Sequence, residues 1–380
     1  METRRKFLQE TATVGIAAIV ASGVAPACAK ERVAKSGVTL EQAWAVHRKC
    51  LIIDAHQDTS VRRFARKEDP KSWMKRDTSY HTDIPRMTEG GQQSVGFFLV
   101  EDSSVTDLWT ITEFILDQID THPEDLMLVL SSKNAVRAGK TGKVGILMEI
   151  EGPARWLNGN VNILRLLYRL GVRCVHITHG EGGSEPTFLQ GTRSISGPCT
   201  PEDREAQRKN FIGLTPFGME VLKTENELGI ITDLSHTNDK AFFDVMEHTT
   251  KPPIMSHTAV FSLCNHYRCL TDDQIKALAA KGGVMGIVVL PGFIDADPKK
   301  ATIDRIVDHI LYVADLVGID TVGFGSDYDG FSGNPIVEAS QLVNLTRAML
   351  ARGLTEEEIR KFWGGNFLRV LRQTIDKPEK

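Results

Sequence analysis

The chain has 380 residues, 41% apolar and 25% charged, which is the balance of an ordinary globular protein long enough for one large domain or two smaller ones. A formal net charge of −4 offers no basic surface for nucleic acid. Six cysteines with no Cys-x-x-Cys pair are too few for a disulfide-built scaffold.

The first residues read as an export signal. Thr3-Arg4-Arg5-Lys6-Phe7-Leu8 resembles the twin-arginine pattern, an Ala-rich apolar segment runs from about Thr11 to Ala25, and small residues follow at Ala25-Pro26-Ala27-Cys28-Ala29. Cleavage after Ala27 or Ala29 fits the small-x-small rule. Residues 1–29 are therefore expected to be a signal peptide and 30–380 one domain, periplasmic or secreted. The apolar run is shorter than the about 20 residues a membrane span needs. A lipoprotein at Cys28 is disfavoured because Ala25 stands where a larger aliphatic residue belongs.

Along the chain, Thr39 and Gln42 predict a capping box at the head of a short helix ending near Lys49. A first strand is expected over Cys50–Ile53 and a second over Ser94–Val100, with a long loop that holds a helical piece between Asp58 and Arg86. Asp107–Val129 reads as a long helix broken near His122-Pro123. A third strand spans Val144–Ile150, a helix Ile163–Leu170 stops at Gly171, and a fourth strand spans Val172–Thr178. Glu181–Asn210 is rich in Gly, Ser, Pro and charge and reads as a long loop. Thr215-Pro216 opens a helix that Gly229 ends. Strands at Ile230–Ser235, Pro253–Ser256, Gly283–Val289 and Thr321–Ser326 follow, with helices at Asp239–His248, Thr271–Ala280 and Ala301–Val317 between them. Helices over Ile336–Ala351 and Thr355–Phe362 close the chain.

Eight strands separated by helices imply parallel pairing with right-handed crossovers, and predict an α/β protein with a (β/α)8 TIM barrel. An open doubly wound sheet is less well supported, because no Gly-x-Gly-x-x-Gly follows the first strand and polar residues end most strands. Those residues are His56 and Asp58, Glu149 and Glu151, His176 and His179, Asp233 and His236, His257, and Asp327. A barrel gathers such ends on one face. Burying that many ionisable groups without partners would cost several kcal/mol each, and divalent metal ions would partner them.

The segments Asp54-Ala55-His56-Gln57-Asp58, Ile150-Glu151-Gly152, Thr178-His179, Gly213-Leu214-Thr215-Pro216, Asp233-Leu234-Ser235-His236, Gly325-Ser326-Asp327-Tyr328-Asp329-Gly330 and Gly364-Gly365-Asn366-Phe367 occur in that order. Together they resemble the membrane dipeptidase (renal dipeptidase) family, peptidase family M19, of the metal-dependent hydrolase barrels. The resemblance runs from about Leu51 to Leu371. It implies a dipeptidase with two zinc ions (Zn2+) per chain: His56 and Asp58 on one, His236 and His257 on the other, and Glu151 bridging. It further implies that His179 polarises the substrate carbonyl, that Arg268 holds the free carboxylate, and that Asp327 handles the proton of an attacking metal-bridging hydroxide. The substrate would be a small peptide, including those with a C-terminal D-residue. Dimerisation is implied by the resemblance alone.

Other residues fit supporting roles. Glu149 shares Glu151's strand face but is read as support, as are His176, Asp233, Asp54 and Asp329; Cys264 and Cys269 are paired or free. The chain departs from the family at Gln57, at Tyr328, and in Gly180-Glu181-Gly182-Gly183-Ser184-Glu185, whose two acids bear on specificity. The alternative function is a binuclear metal amidohydrolase acting on N-acyl amino acids, lactams or lactones. A non-enzymatic protein on a decayed barrel is disfavoured, because no ligand position is lost.

Overall fold

Capping residues set the helices where the sequence puts them. The backbone N–H of Thr39 donates to Gln42 Oε1 at 2.8 Å and that of Gln42 to Thr39 Oγ1 at 3.2 Å, so both halves of the capping box form ahead of the helix Leu40–His47. Thr215 caps Pro216–Leu228, and Gly229, at φ 81°, ends it in the left-handed conformation that a residue without Cβ adopts freely. The computed structural model describes residues 32–65, 73–92, 95–100, 105–153, 157–179, 197–209 and 213–376. The expected signal peptide and the Gly180–Glu185 loop lie outside the described residues.

The sheet has nine strands, all paired in parallel: β1 Ile53–Gln57, β2 Val95–Val100, β3 Leu126–Leu128, β4 Val144–Ile150, β5 Val172–His176, β6 Ile231–Asp233, β7 Ile254–Thr258, β8 Val284–Ile287 and β9 Val322–Phe324. Their order is β2-β1-β9-β8-β7-β6-β5-β4-β3. This corrects the expected closed (β/α)8 TIM barrel: the sheet is an open, curled half-barrel whose edges stand 14 Å apart. The two end strands of that order both pair with β4, but at successive levels: β3 with its start (Leu126↔Val144 to Leu128↔Ile146) and β2 along its later part (Gly96↔Ile146 to Val100↔Ile150), so neither covers the full edge of β4.

Strand β3 was hidden within an expected helix. The observed helix, Val105–Thr121, stops before Pro123, and Leu-Met-Leu suits a helix as well as a strand. Helices at Ser132–Thr141, where Ser131 is the cap and Gly142 the left-handed stop, and at Pro201–Arg208 were likewise not expected. The first strand begins later than expected and runs through His56, because Asp54 within it is satisfied by five hydrogen bonds, one of them from the His56 backbone N–H at 3.4 Å. The Asp54 carboxylate also accepts from Gln57 Nε2 (2.6 Å), Gln92 Nε2 (3.1 Å), Ser326 N (2.7 Å) and Ser326 Oγ (2.6 Å), which ties β1 to the end of β9. Gln57 thus serves as a donor inside this knot.

Strands β7, β8 and β9 approach closely where side chains are missing. A Cβ on Gly325 would lie 1.7 Å from Ser256 O, and one on Gly286 2.0 Å from the same oxygen. Any side chain there would push β7 away from its neighbours, and with it His257.

Behind the sheet, Glu225 of the helix Pro216–Leu228 is fully buried and accepts a hydrogen bond from the Thr232 hydroxyl at 2.6 Å. Burial pushes its carboxyl from the ordinary 4.5 up to about 8. The folded chain therefore keeps a proton that the unfolded chain releases. The stability this confers is full below about pH 4.5 and is lost as pH rises through about 8. Glu225→Gln keeps the acceptor and removes the titration. Its melting temperature should gain on the parent protein's from pH 5 to pH 9 and exceed it above about pH 8, at about 1.4 kcal/mol per pH unit in the window. Parallel melting curves at all pH values would contradict the assignment.

Candidate metal centre

The C-terminal ends of β1, β4, β5, β6, β7 and β9 bring the polar residues singled out above to one face. His56 lies within β1 and Asp58 just beyond it. Glu149 is within β4 and Glu151 just beyond, His176 ends β5, and Asp233 ends β6. Three residues have positive φ here: His236 (67°), Asp327 (60°) and Asp329 (68°). Non-glycine residues rarely adopt this conformation, and it turns the chain back over the strand ends. Nothing in the sequence marks these turns. The backbone N–H of Asp58 donates to Tyr328 O (2.8 Å) and that of Asp327 to His56 O (3.1 Å), so the two acid-bearing segments hold each other. Gly330 lies beneath both: a Cβ there would come within 2.1 Å of Asp58 Oδ2 and of Asp327 Oδ1. Only glycine leaves both carboxylates where they are.

Four sets of potential ligands converge: His56 with Asp58 and Glu151; Glu151 with His179 and His236; His56 with His257 and Asp327; and His56 with Glu149 and His176. Glu151 belongs to two of them. Its Oε1 lies 2.9 Å from His236 Nε2 and 3.9 Å from His257 Nε2, and its Oε2 lies 3.5 Å from His179 Nε2. Glu149 reaches neither His236 nor His257 in these contacts. It accepts from His56 Nδ1 at 3.0 Å, so its support role and Glu151's central position are separated by geometry that strand parity could not resolve.

The donor set suits a divalent cation, or two sharing a glutamate: imidazole nitrogens and carboxylate oxygens, almost all buried. His56 Nε2 is buried without a hydrogen-bond partner, 3.7 Å from Asp58 Oδ2 and 3.9 Å from Asp327 Oδ1. A ring nitrogen held dry beside two carboxylates is the arrangement a metal ion satisfies.

Electrostatics follow from this crowding. Burial raises the Asp327 carboxyl to about 6 against the pull of His56 and Arg268. Burial also opposes ionisation of Glu151, but His179, His236 and His176 overcome it and hold the carboxyl well below its usual range. His236 and His257 are pushed well below the ordinary value, first by burial and then by neighbouring positive charge, Arg268 included. They are thus neutral, the form that binds metal. Arg268 donates from its two terminal nitrogens to His236 Nδ1 and His257 Nε2, each at 2.8 Å, so the expected substrate-binding arginine stands directly beside this pair. His56 behaves oppositely. Burial opposes its charge, yet Glu149, Glu151 and Asp58 together raise it to about 10.

All eight expected site residues, His56, Asp58, Glu151, His179, His236, His257, Arg268 and Asp327, meet here, joined by Glu149, His176 and Asp233. Sequence reasoning missed His81. Its Nδ1 accepts from Asp329 N (2.9 Å), and its own backbone N–H donates to Asp329 Oδ1 (2.6 Å) while the Thr59 hydroxyl donates to Asp329 Oδ2 (2.8 Å). No motif surrounds His81, so only the fold reveals it. Tyr328, another departure from the family pattern, is buried and donates its hydroxyl to Val337 O at 2.7 Å.

The sequence profile of the membrane dipeptidase family (peptidase family M19) matches residues 40–380. The chain is 28% identical over 317 residues to the dipeptidase tcpJ of Claviceps purpurea, covering 79% of this chain and 71% of that protein. Among solved structures it is similar to the dipeptidase AC, a metallopeptidase of family M19, with TM-score 0.75 and 25% identity over 85% of this chain and 98% of that one. It is also similar in fold to a Rhodobacter sphaeroides metallopeptidase liganded with a phosphinate mimic of L-Ala-D-Ala, with TM-score 0.74 and 24% identity over 85% of this chain and 99% of that one.

At neutral pH a His56 raised to about 10 carries a proton that a metal must displace. Zinc binding to metal-free protein should therefore release about one proton from this site. Its affinity should rise with pH, by up to about tenfold per unit below that value. Calorimetry in buffers of different ionisation heat measures the release. Zinc uptake with no proton release would contradict the assignment.

Proposed function

We infer that the chain, which belongs to the membrane dipeptidase family (peptidase family M19), is a zinc-dependent dipeptidase in which Glu151 would be shared by two zinc ions. His56 and Asp58 would complete one site, and His236 and His257 the other. The single observation that carries this reading is Glu151, a buried carboxylate common to two separate ligand sets. Zinc bound there supplies Lewis-acid polarisation and brings the pKa of water down towards neutrality.

The side chains account for the rest of the chemistry. Arg268 presents a planar, doubly donating guanidinium suited to a terminal carboxylate, which places the scissile bond one residue away. His179, about one-third exposed at the edge of the cluster, can donate to the carbonyl oxygen as negative charge develops there. Asp327, drawn by burial towards neutral pH, takes a proton from the attacking water and returns it to the departing amine.

Export fits the same reading: the N-terminal pattern directs the chain through the twin-arginine route, which carries folded proteins. Among the described residues no helix is long and apolar enough to cross a membrane.

An assay of L-L, L-D and N-acetylated dipeptides, with zinc content measured alongside, tests this function. Hydrolysis of L-L or L-D dipeptides with close to two zinc ions per chain is expected. His257→Ala should lose one zinc and at least 100-fold in kcat/KM. Two metals with turnover only of N-acylated substrates would move the chain to the amidohydrolase alternative, and no metal with no turnover would end both. Separately, Arg268→Met should lower kcat/KM about 100-fold for free dipeptides while leaving C-terminally amidated ones nearly unchanged. Equal losses on both would remove Arg268 from carboxylate recognition.

A further inference from the structure

Two glutamates sit two residues apart at the end of β4, and only Glu151 is in the proposed ligand set. Glu149 is 0% exposed, and its Oε1 accepts from His56 Nδ1 at 3.0 Å. The same oxygen meets His176 Nε2. His176 in turn lies with Nδ1 2.9 Å from Glu151 Oε1 and with Nε2 3.0 Å from Asp233 Oδ2. His176 and Asp233 are also fully buried. A continuous polar path thus runs His56–Glu149–His176–Glu151 beneath the centre, sealed from solvent.

An imidazole can offer a metal either nitrogen, and the hydrogen bond made by one decides which remains. On His56 the Nδ1 side is taken by Glu149. The Nε2 side faces Asp58 and Asp327 with no hydrogen-bond partner. We infer that Glu149 is a positioning residue: it fixes the His56 ring and its Nδ1–H so that Nε2 is presented to the metal, and through His176 it holds that ring in register with the bridging Glu151. This rests on the zinc-site reading above. The sequence feature is the spacing Glu149-x-Glu151 paired with His176 on the neighbouring strand, so that each glutamate meets a different nitrogen of that imidazole.

The test is zinc affinity by competition with a chelator, together with the visible spectrum of the cobalt-substituted protein, for the parent and for Glu149→Ala and Glu149→Gln. Glu149→Ala should weaken one of the two metal ions about 10- to 100-fold, leave the other unchanged and alter the cobalt spectrum. Glu149→Gln, which keeps an acceptor for Nδ1–H, should recover most of that loss. In the zinc-loaded parent, 15N NMR should show His56 with an exchange-protected Nδ1–H. A folded Glu149→Ala protein holding both metals at parental affinity with an unchanged cobalt spectrum would overturn the inference. So would a glutamine variant as weak as the alanine one. If Glu149→Ala fails to fold, the parent spectrum decides, and an unprotonated His56 Nδ1 overturns the inference. A parent protein that binds no zinc would instead sink the zinc-site reading itself, so the two failures are distinguishable.

Discussion

Buried negative charge at the strand ends is the constraint to which the rest of this structure answers. Asp54, Glu149, Glu151 and Asp233 are nearly or wholly inaccessible, and Asp327 is 8% exposed. Isolated carboxylates so placed would each cost several kcal/mol. Each is compensated differently. Asp54 is saturated by five donors and has become a structural knot. Asp233 takes backbone N–H groups from Ser235 and Ser256 as well as His176, and is held at about 2. Glu151 is surrounded by imidazoles, and its sharing between two ligand sets is what a pair of cations would exploit.

That arrangement depends on parallel strands. Because the strands run the same way, their C-terminal ends fall on one side, and the loops that follow need only turn back over them. The left-handed residues His236, Asp327 and Asp329 make those turns, and Gly330 leaves the space in which Asp58 and Asp327 face each other. The curled, open sheet achieves this without closing into a regular barrel, because the ends that carry chemistry belong to strands in the continuous run from β1 round to β4. The seam lies where β2 and β3 meet β4, and among the described residues neither contributes a ligand.

Much of this was legible in the sequence. Alternating strand and helix signals fixed the parallel arrangement, and the caps at Thr39, Thr215, Gly171 and Gly229 lie where they were expected. The site was legible because metal ligands must be His, Asp or Glu, and these stood at strand after strand in family order. Closure of the sheet was not legible: it turned on three residues, Leu126–Leu128, whose composition suits either structure. The division of labour between Glu149 and Glu151 came from the resemblance and not from strand parity, since residues two apart on a strand share a face. His81 was invisible, because its partner, Asp329, is 248 residues away.

The central claim is that Glu151 is shared by two metal ions. Anomalous diffraction at the zinc edge, from crystals of the zinc-loaded protein, tests it most directly. Two peaks are predicted on either side of the Glu151 carboxylate, one within bonding distance of His56 and Asp58 and the other of His236 and His257. A single peak, or two peaks of which only one lies within bonding distance of Glu151, would contradict the account.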